Sequence, residues 1–384
     1  MTIAPCNARL TRMLIGAGAL LLIANAHAQV TALRASQRLP MPPISAPQPT
    51  QEARFGEYVA TDGQTLLVTV SEGPAAYTYV KKMPGKKWAF EGALAPVEGT
   101  TALSGAVRGN IAAVGGVVGE ENAVFIFART QGQWLQTQTI TGFDFSVQFN
   151  MIALGADYLA IGDFGFNDFR GGVHIYNQTG AGTYELSAVL TPGDPNAPQG
   201  WLLGFLPIAS GDTLTVAAPG GEKVHVFVRT GGVWTEEAQL NLLSNPSYAF
   251  SGDRILLPEG QVVGQSSRVQ EFLRSGGVWS PGGELINPRD PEFGLGTPVS
   301  IDGVRAVAGE ASQDVPTEDA LVFELGSAGW APTARLRDAI LLECRGLTDV
   351  TLAIAGRSVV ASCPNGRNGH PAFEGYVTVY DLPQ

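Results

Sequence analysis

Three stretches of the chain gather side chains that could bind or react. The first is Asp163-Phe164-Gly165-Phe166-Asn167-Asp168, where two carboxylates and an amide surround a glycine between two phenylalanines. Trp201 follows the segment 191–199, and the stretch 363–375 carries His370 and Phe373. Hard oxygens near a glycine could ligate calcium, so Asp163, Asn167 and Asp168 are a cation candidate that lacks the alternate spacing and distal Glu of a calcium loop. Aromatics set among charges suit contact with a protein or a sugar. His370 is the plausible exposed general base, and Asp163 or Asp168 could join Asp314 or Glu318 in glycoside chemistry. No Gly-x-Ser-x-Gly nucleophile motif accompanies them, so no catalytic residue is assigned. The expectation is a ligand-binding set of Asp163, Phe164, Phe166, Asp168, Trp201, His370 and Phe373, with no resident cofactor and calcium left open. His174 and His225 hold matching places in successive repeats and read as packed strand residues.

The elements that must carry these residues recur along the chain. Thr213 to Leu242 contains one full unit: an apolar run, Pro219-Gly220-Gly221, a second apolar run, a Thr-Gly-Gly turn, and an alternating segment opened by Trp234. Three columns repeat in register with it. The first is a two-residue turn: Asp62-Gly63, Gly109-Asn110, Ala156-Asp157, Gly211-Asp212, Gly252-Asp253, Asp302-Gly303 and Gly356-Arg357. Such pairs supply the positive φ of tight hairpins. The second is an apolar strand, from Tyr77 to Val80 in the first unit and from Val377 to Tyr380 in the last. In the third, an aromatic precedes Leu or Ile by six residues: Trp88 and Leu94, Trp134 and Ile140, Tyr184 and Leu190, Trp234 and Leu240, Trp279 and Leu285, Trp330 and Leu336. A spacing of six predicts that both side chains lie on one face of a strand.

Units of about 50 residues with four short strands are propeller blades. The fold expected is all-β, a single propeller of seven four-stranded blades spanning 54–384. The seventh unit lacks its outer strand, and Leu33 and Leu39 of the N-terminal arm repeat the spacing of six. The arm within 29–53, ahead of a Pro-rich connector, is therefore expected to pair with the Val377 to Tyr380 strand and close the ring. That closure also removes an exposed sheet edge.

Residues 1–28 combine Arg9 and Arg12, an apolar run and Ala26-His27-Ala28, the pattern of a cleaved export signal, so a secreted or periplasmic protein is expected. No later apolar run is long enough to span a bilayer, which argues against membrane insertion after cleavage. A formal net charge of −11 opposes nucleic-acid backbones. Cys344 and Cys363 remain beyond the signal and are expected to form a disulfide in an oxidising compartment.

Phe55-Gly56 and Phe293-Gly294 open repeats, Val216-Ala217-Ala218-Pro219 stands at a second repeat element, and Arg229 and Arg274 begin Arg-Thr-Gly-Gly-Val-Trp and Arg-Ser-Gly-Gly-Val-Trp hairpins. On these residues the chain resembles the bacterial FG-GAP repeat proteins, whose units are similar to the integrin α propeller. The pattern departs in losing most Phe-Gly pairs and every Asp-x-Asp-x-Asp-Gly calcium loop. The resemblance implies a monomeric, non-catalytic propeller that binds a protein or glycan through its loop-rich face. A propeller-scaffold enzyme acting on a polysaccharide and a purely structural interaction module are the alternatives.

Overall fold

The computed structural model describes residues 30–42, 54–70, 76–81, 87–144, 150–242, 247–259, 268–289, 294–311, 319–337, 351–364 and 375–383. The expected signal, Cys344, Asp314, Glu318, His370 and Phe373 lie outside these residues. The described strands form seven sheets, each built on three or four consecutive antiparallel strands, with the arm adding a strand to two of them. Blades one to six begin at Val59, Thr100, Ile152, Phe205, Ala249 and Gly294, and blade seven at Leu352. The first strand of every blade touches the first strand of the next, and blade seven touches blade one in the same way. The protein is thus a closed seven-bladed β-propeller with its first strands innermost.

The arm closes the ring. Gln37–Pro40 pairs antiparallel with Tyr376–Asp381, placing Leu39 opposite Val377, and supplies the missing outer strand of blade seven. Gln37 shows how fully the arm imitates an outer strand. Its amide nitrogen donates to the Trp88 carbonyl at 2.8 Å, and its amide oxygen accepts from the Trp88 N–H at 2.8 Å. Gln138, two residues before Ile140 just as Gln37 is two before Leu39, makes the same pair of bonds to Tyr184 of the next blade. The arm also adds a strand that the repeat does not announce: Thr31–Leu33 runs parallel to the outer strand of blade six as its fifth strand.

The outer strands correct one expectation. In the six blades built from consecutive strands, the pairing of third and fourth strands slips by one residue between the aromatic and the aliphatic residue. Trp134 lies opposite Arg129 and Ile140 opposite Val124, so seven residues on one strand face six on the other. The extra residue is a β-bulge, which flips the alternation. The aromatic and the aliphatic side chain therefore point to opposite faces, and each serves a different blade interface. Leu94 shares its cluster with Trp134, Ile140 with Tyr184, Leu190 with Trp234, Leu240 with Trp279 and Leu285 with Trp330. Leu39 of the arm joins Trp88 in the same manner. Leu33 packs into the cluster of Leu336, where a seventh aromatic would stand. Burying one such Leu contributes about 2 kcal/mol.

Polar latches supplement this packing. Glu91 receives both a bidentate bond from Arg129 and the Trp134 indole N–H, and Glu237 receives the same pair from Arg274 and Trp279. Both glutamates stand three residues after their blade's Trp, at the bulge. On the turn face, the N–H groups of Gly109, Gly252, Gly303 and Gly356 donate to Asp62, Ser210, Ser251 and Asp302 of the preceding blades. In blade six the turn begins at Gly303, with φ of 59°, one residue later than the Asp302-Gly303 pairing expected from sequence.

Candidate functional site

Antiparallel strand order puts loops between second and third strands at the same end as the connections between blades. At that end the loop after Asp163 in blade three docks on the connection 197–204 that leads to blade four. The Arg170 Nε donates to the Ala197 carbonyl at 2.9 Å. The Gly200 and Leu202 N–H groups both donate to the Phe169 carbonyl, and the Leu203 N–H to that of Arg170. Gly171 forms a single parallel bridge with Leu203, an approach so close that a Cβ at Gly171 would lie 2.1 Å from the Leu203 oxygen. Phe55 bridges Gly375 identically between blades seven and one, so this is a latch of the repeat.

Pinned in this way, the loop holds Asn167, Asp168 and Phe169 at φ of 52°, 57° and 59°. Three successive non-glycine residues in the left-handed region are uncommon, and each costs on the order of 1 kcal/mol. The surrounding hydrogen bonds offset that cost. The consequence is a tip that turns outward, with Asn167 and Asp168 exposed and the Phe169 ring 48% exposed. Beneath it, Phe164 packs between Phe169 and Phe205 at ring separations of 6.3 and 5.7 Å. Phe166 sets its edge against His174 at 5.5 Å.

The residues selected from sequence divide accordingly. Asp163 is 5% exposed, with one carboxylate oxygen 3.0 Å from His174 Nε2 and the other accepting the Asp144 N–H at 3.1 Å. It anchors the loop and is not presented to solvent. Phe164 and Phe166 are half-buried props, and Asp168 is at the tip. Trp201 is half-buried, its indole N–H donating to His225 Nε2 at 3.0 Å while His225 Nδ1 meets Glu236. The indole also lies so close to Gly221 that a Cβ there would approach within 2.3 Å. Both histidines are packed on their third strands as expected, each beside a carboxylate, and the pair shares no site. Among the described residues, no group of three or more His, Cys, Asp or Glu is placed to hold a metal ion. Phe169, one rim residue among many in the sequence, is one of several large apolar side chains exposed among the described residues, and the one held at the tip of this loop. The sequence hint was the Asn-Asp pair before it, since both residues tolerate the left-handed region.

Cys363 is buried at the end of the second strand of blade seven. Its expected partner, Cys344, lies outside the described residues, so the pairing remains an expectation. Among the described residues no helix is long and apolar enough to cross a membrane.

No family model and no curated protein matches the chain. Solved structures do. The WD40 domain of Toxoplasma gondii coronin matches with a TM-score of 0.51 and 11% identity, over 92% of this chain and 88% of that one. A Bacteroides uniformis protein with a provisional 6-phosphogluconolactonase name matches with a TM-score of 0.50 and 12% identity, over 80% and 93% of the two chains. At such identities the likeness shows a propeller fold alone. The FG-GAP resemblance has no family model behind it.

Proposed function

We propose that the protein is an exported, non-catalytic propeller that recognises a protein or glycan through its loop-rich face, with Phe169 as the principal contact. The observation that supports this is the exposed Phe169 ring on a loop held in an unfavourable backbone conformation by the neighbouring connection. Strain retained where hydrogen bonds enforce it is a feature of ligand-contacting loops. An exposed aromatic beside Asp168 offers a face for a sugar ring or an apolar side chain, and a carboxylate for a hydroxyl or a basic group. The FG-GAP resemblance points to the same kind of recognition. The test is a binding screen of the full exported chain, wild type and Phe169→Ala, against envelope glycans and secreted proteins, with and without calcium. A ligand whose affinity falls about tenfold in the variant supports the reading, given that truncating an aromatic anchor costs over 1 kcal/mol. Equal affinity of both proteins for every ligand found contradicts it.

A further inference from the structure

The tip of the Phe169 loop carries a charge as well as a ring. Arg170 follows Phe169 directly and is half-buried, while Asn167, Asp168 and Phe169 are exposed. Its Nε donates to the Ala197 carbonyl at 2.9 Å, and its Nη1 makes an exposed bond of 3.4 Å to the Asn167 carbonyl. The second contact sets the outer end of the guanidinium at the peptide that joins Asn167 to Asp168. Among the described residues its acceptors are these two carbonyls alone, and no carboxylate pairs with it. Other arginines at the blade joints are neutralised: Arg129 meets Glu91, Arg229 meets Asp157 and Asp212, and Arg274 meets Glu237. Docking the loop on a carbonyl does not need a charge, since Gln37 and Gln138 bond neighbouring blades through neutral amides. Among the described residues, then, nothing takes up the positive charge of Arg170, in a chain of net charge −11.

We propose that the Phe169 surface recognises an acidic glycan, a chain of uronic acid residues, with Arg170 as the group that selects for the carboxylate. This rests on the recognition reading above and names its ligand class. Two of the guanidinium N–H groups are used, and those left can form the paired bonds that fit a planar carboxylate. A uronic acid carries that carboxylate and several hydroxyls on one ring. Phe169 offers a flat apolar face for the ring, Arg170 a cation for the carboxylate, and the exposed Asp168 an acceptor for the hydroxyls. An acidic peptide supplies the carboxylate but not the hydroxyls, and Asp168 repels it. A neutral glycan leaves the arginine charge unused. The bonds from Gly200, Leu202 and Leu203 that pin Phe169 and Arg170 hold the backbone in place before the ligand arrives, which reduces the ordering cost of binding.

The experiment is calorimetric titration of the full exported chain with trigalacturonate, its methyl ester and hexaglutamate. Wild type, Arg170→Gln and Phe169→Ala are compared, and the thermal unfolding of each is recorded to show that it folds. The acid is expected to bind wild type about tenfold more tightly than the ester, the scale of one bond to a charged group. Arg170→Gln is expected to weaken the acid about tenfold and leave the ester unchanged, which erases the preference. Phe169→Ala is expected to weaken both. Absence of acid binding at about 10 mM overturns the proposal, as does equal affinity of wild type for acid and ester. An equal loss of both in Arg170→Gln also overturns it, because the residue would then act only through the loop structure. Hexaglutamate binding as tightly as the acid overturns the glycan assignment. Binding of both saccharides that depends on Phe169 but not on Arg170 sinks this inference alone; acid binding unchanged in Phe169→Ala sinks the recognition reading with it.

Discussion

Removing the Glu237 carboxylate should loosen the joint between blades four and five by an amount that depends on pH. Glu237 accepts two bonds from Arg274, at 2.7 and 2.6 Å, and one from the Trp279 indole at 3.0 Å, and its side chain is only 18% exposed. The Arg274 hydrogen bonds hold its pKa below the ordinary glutamate value; partial burial opposes that shift, and the Trp279 bond reinforces it. Bonds to a charged group are worth about 1.5–3 kcal/mol, but Arg274 can regain water when its partner is lost. Glu237→Ala is therefore expected to cost about 2–3 kcal/mol at pH 7, and Glu237→Gln about 1–2 kcal/mol because the amide still accepts. A group whose folded pKa is lowered contributes stability that is complete above its unfolded value of about 4.3 and is lost as pH falls through the folded value. The difference between wild type and Glu237→Gln should accordingly be largest near neutrality and shrink below about pH 4. Urea unfolding from pH 3 to 7, with a double-mutant cycle using Arg274→Met, measures both effects. A difference under about 0.5 kcal/mol at pH 7, or one that does not change with pH, would refute the reasoning.

Deleting residues 29–40 should lower the unfolding temperature by several degrees and promote self-association, because it exposes the edge strand Tyr376–Asp381 and removes the Leu39 packing and the Gln37 clamp on Trp88. An unchanged melting profile would deny the arm its role in closure. Peptide mapping of the exported protein without reductant should recover Cys344 and Cys363 in one linked peptide; recovery of both as free thiols would refute the pairing and weaken the export reading.

The architecture was legible because buried strands need uninterrupted apolar runs and tight turns need residues that accept positive φ. Val224 to Val228 and Gly211-Asp212 satisfy those needs without reference to the rest of the chain. Leu39 was legible as an outer strand because it keeps the spacing of the others. What failed was inference from spacing alone: six is an even number, yet the bulge between Trp134 and Ile140 reverses their faces, and no residue type at that point demands it. The site was less legible than the fold. Asp163 and Trp201 were chosen for their chemistry, but their partners His174 and His225 are fixed by cross-strand and cross-loop approach that sequence order does not contain. Phe169 owes its exposure to hydrogen bonds from Gly200 and Leu202, more than thirty residues away. Nor does anything in the repeat foretell the parallel strand Thr31–Leu33.

The most direct test of the recognition surface is hydrogen exchange on the full exported chain with and without a ligand found by the screen. Protection is expected in the amides of 166–171 and 200–204 at the Phe169 loop and its docking connection. Protection confined to the turns of the opposite face, with those amides unchanged, would contradict the assignment of this loop as the binding site.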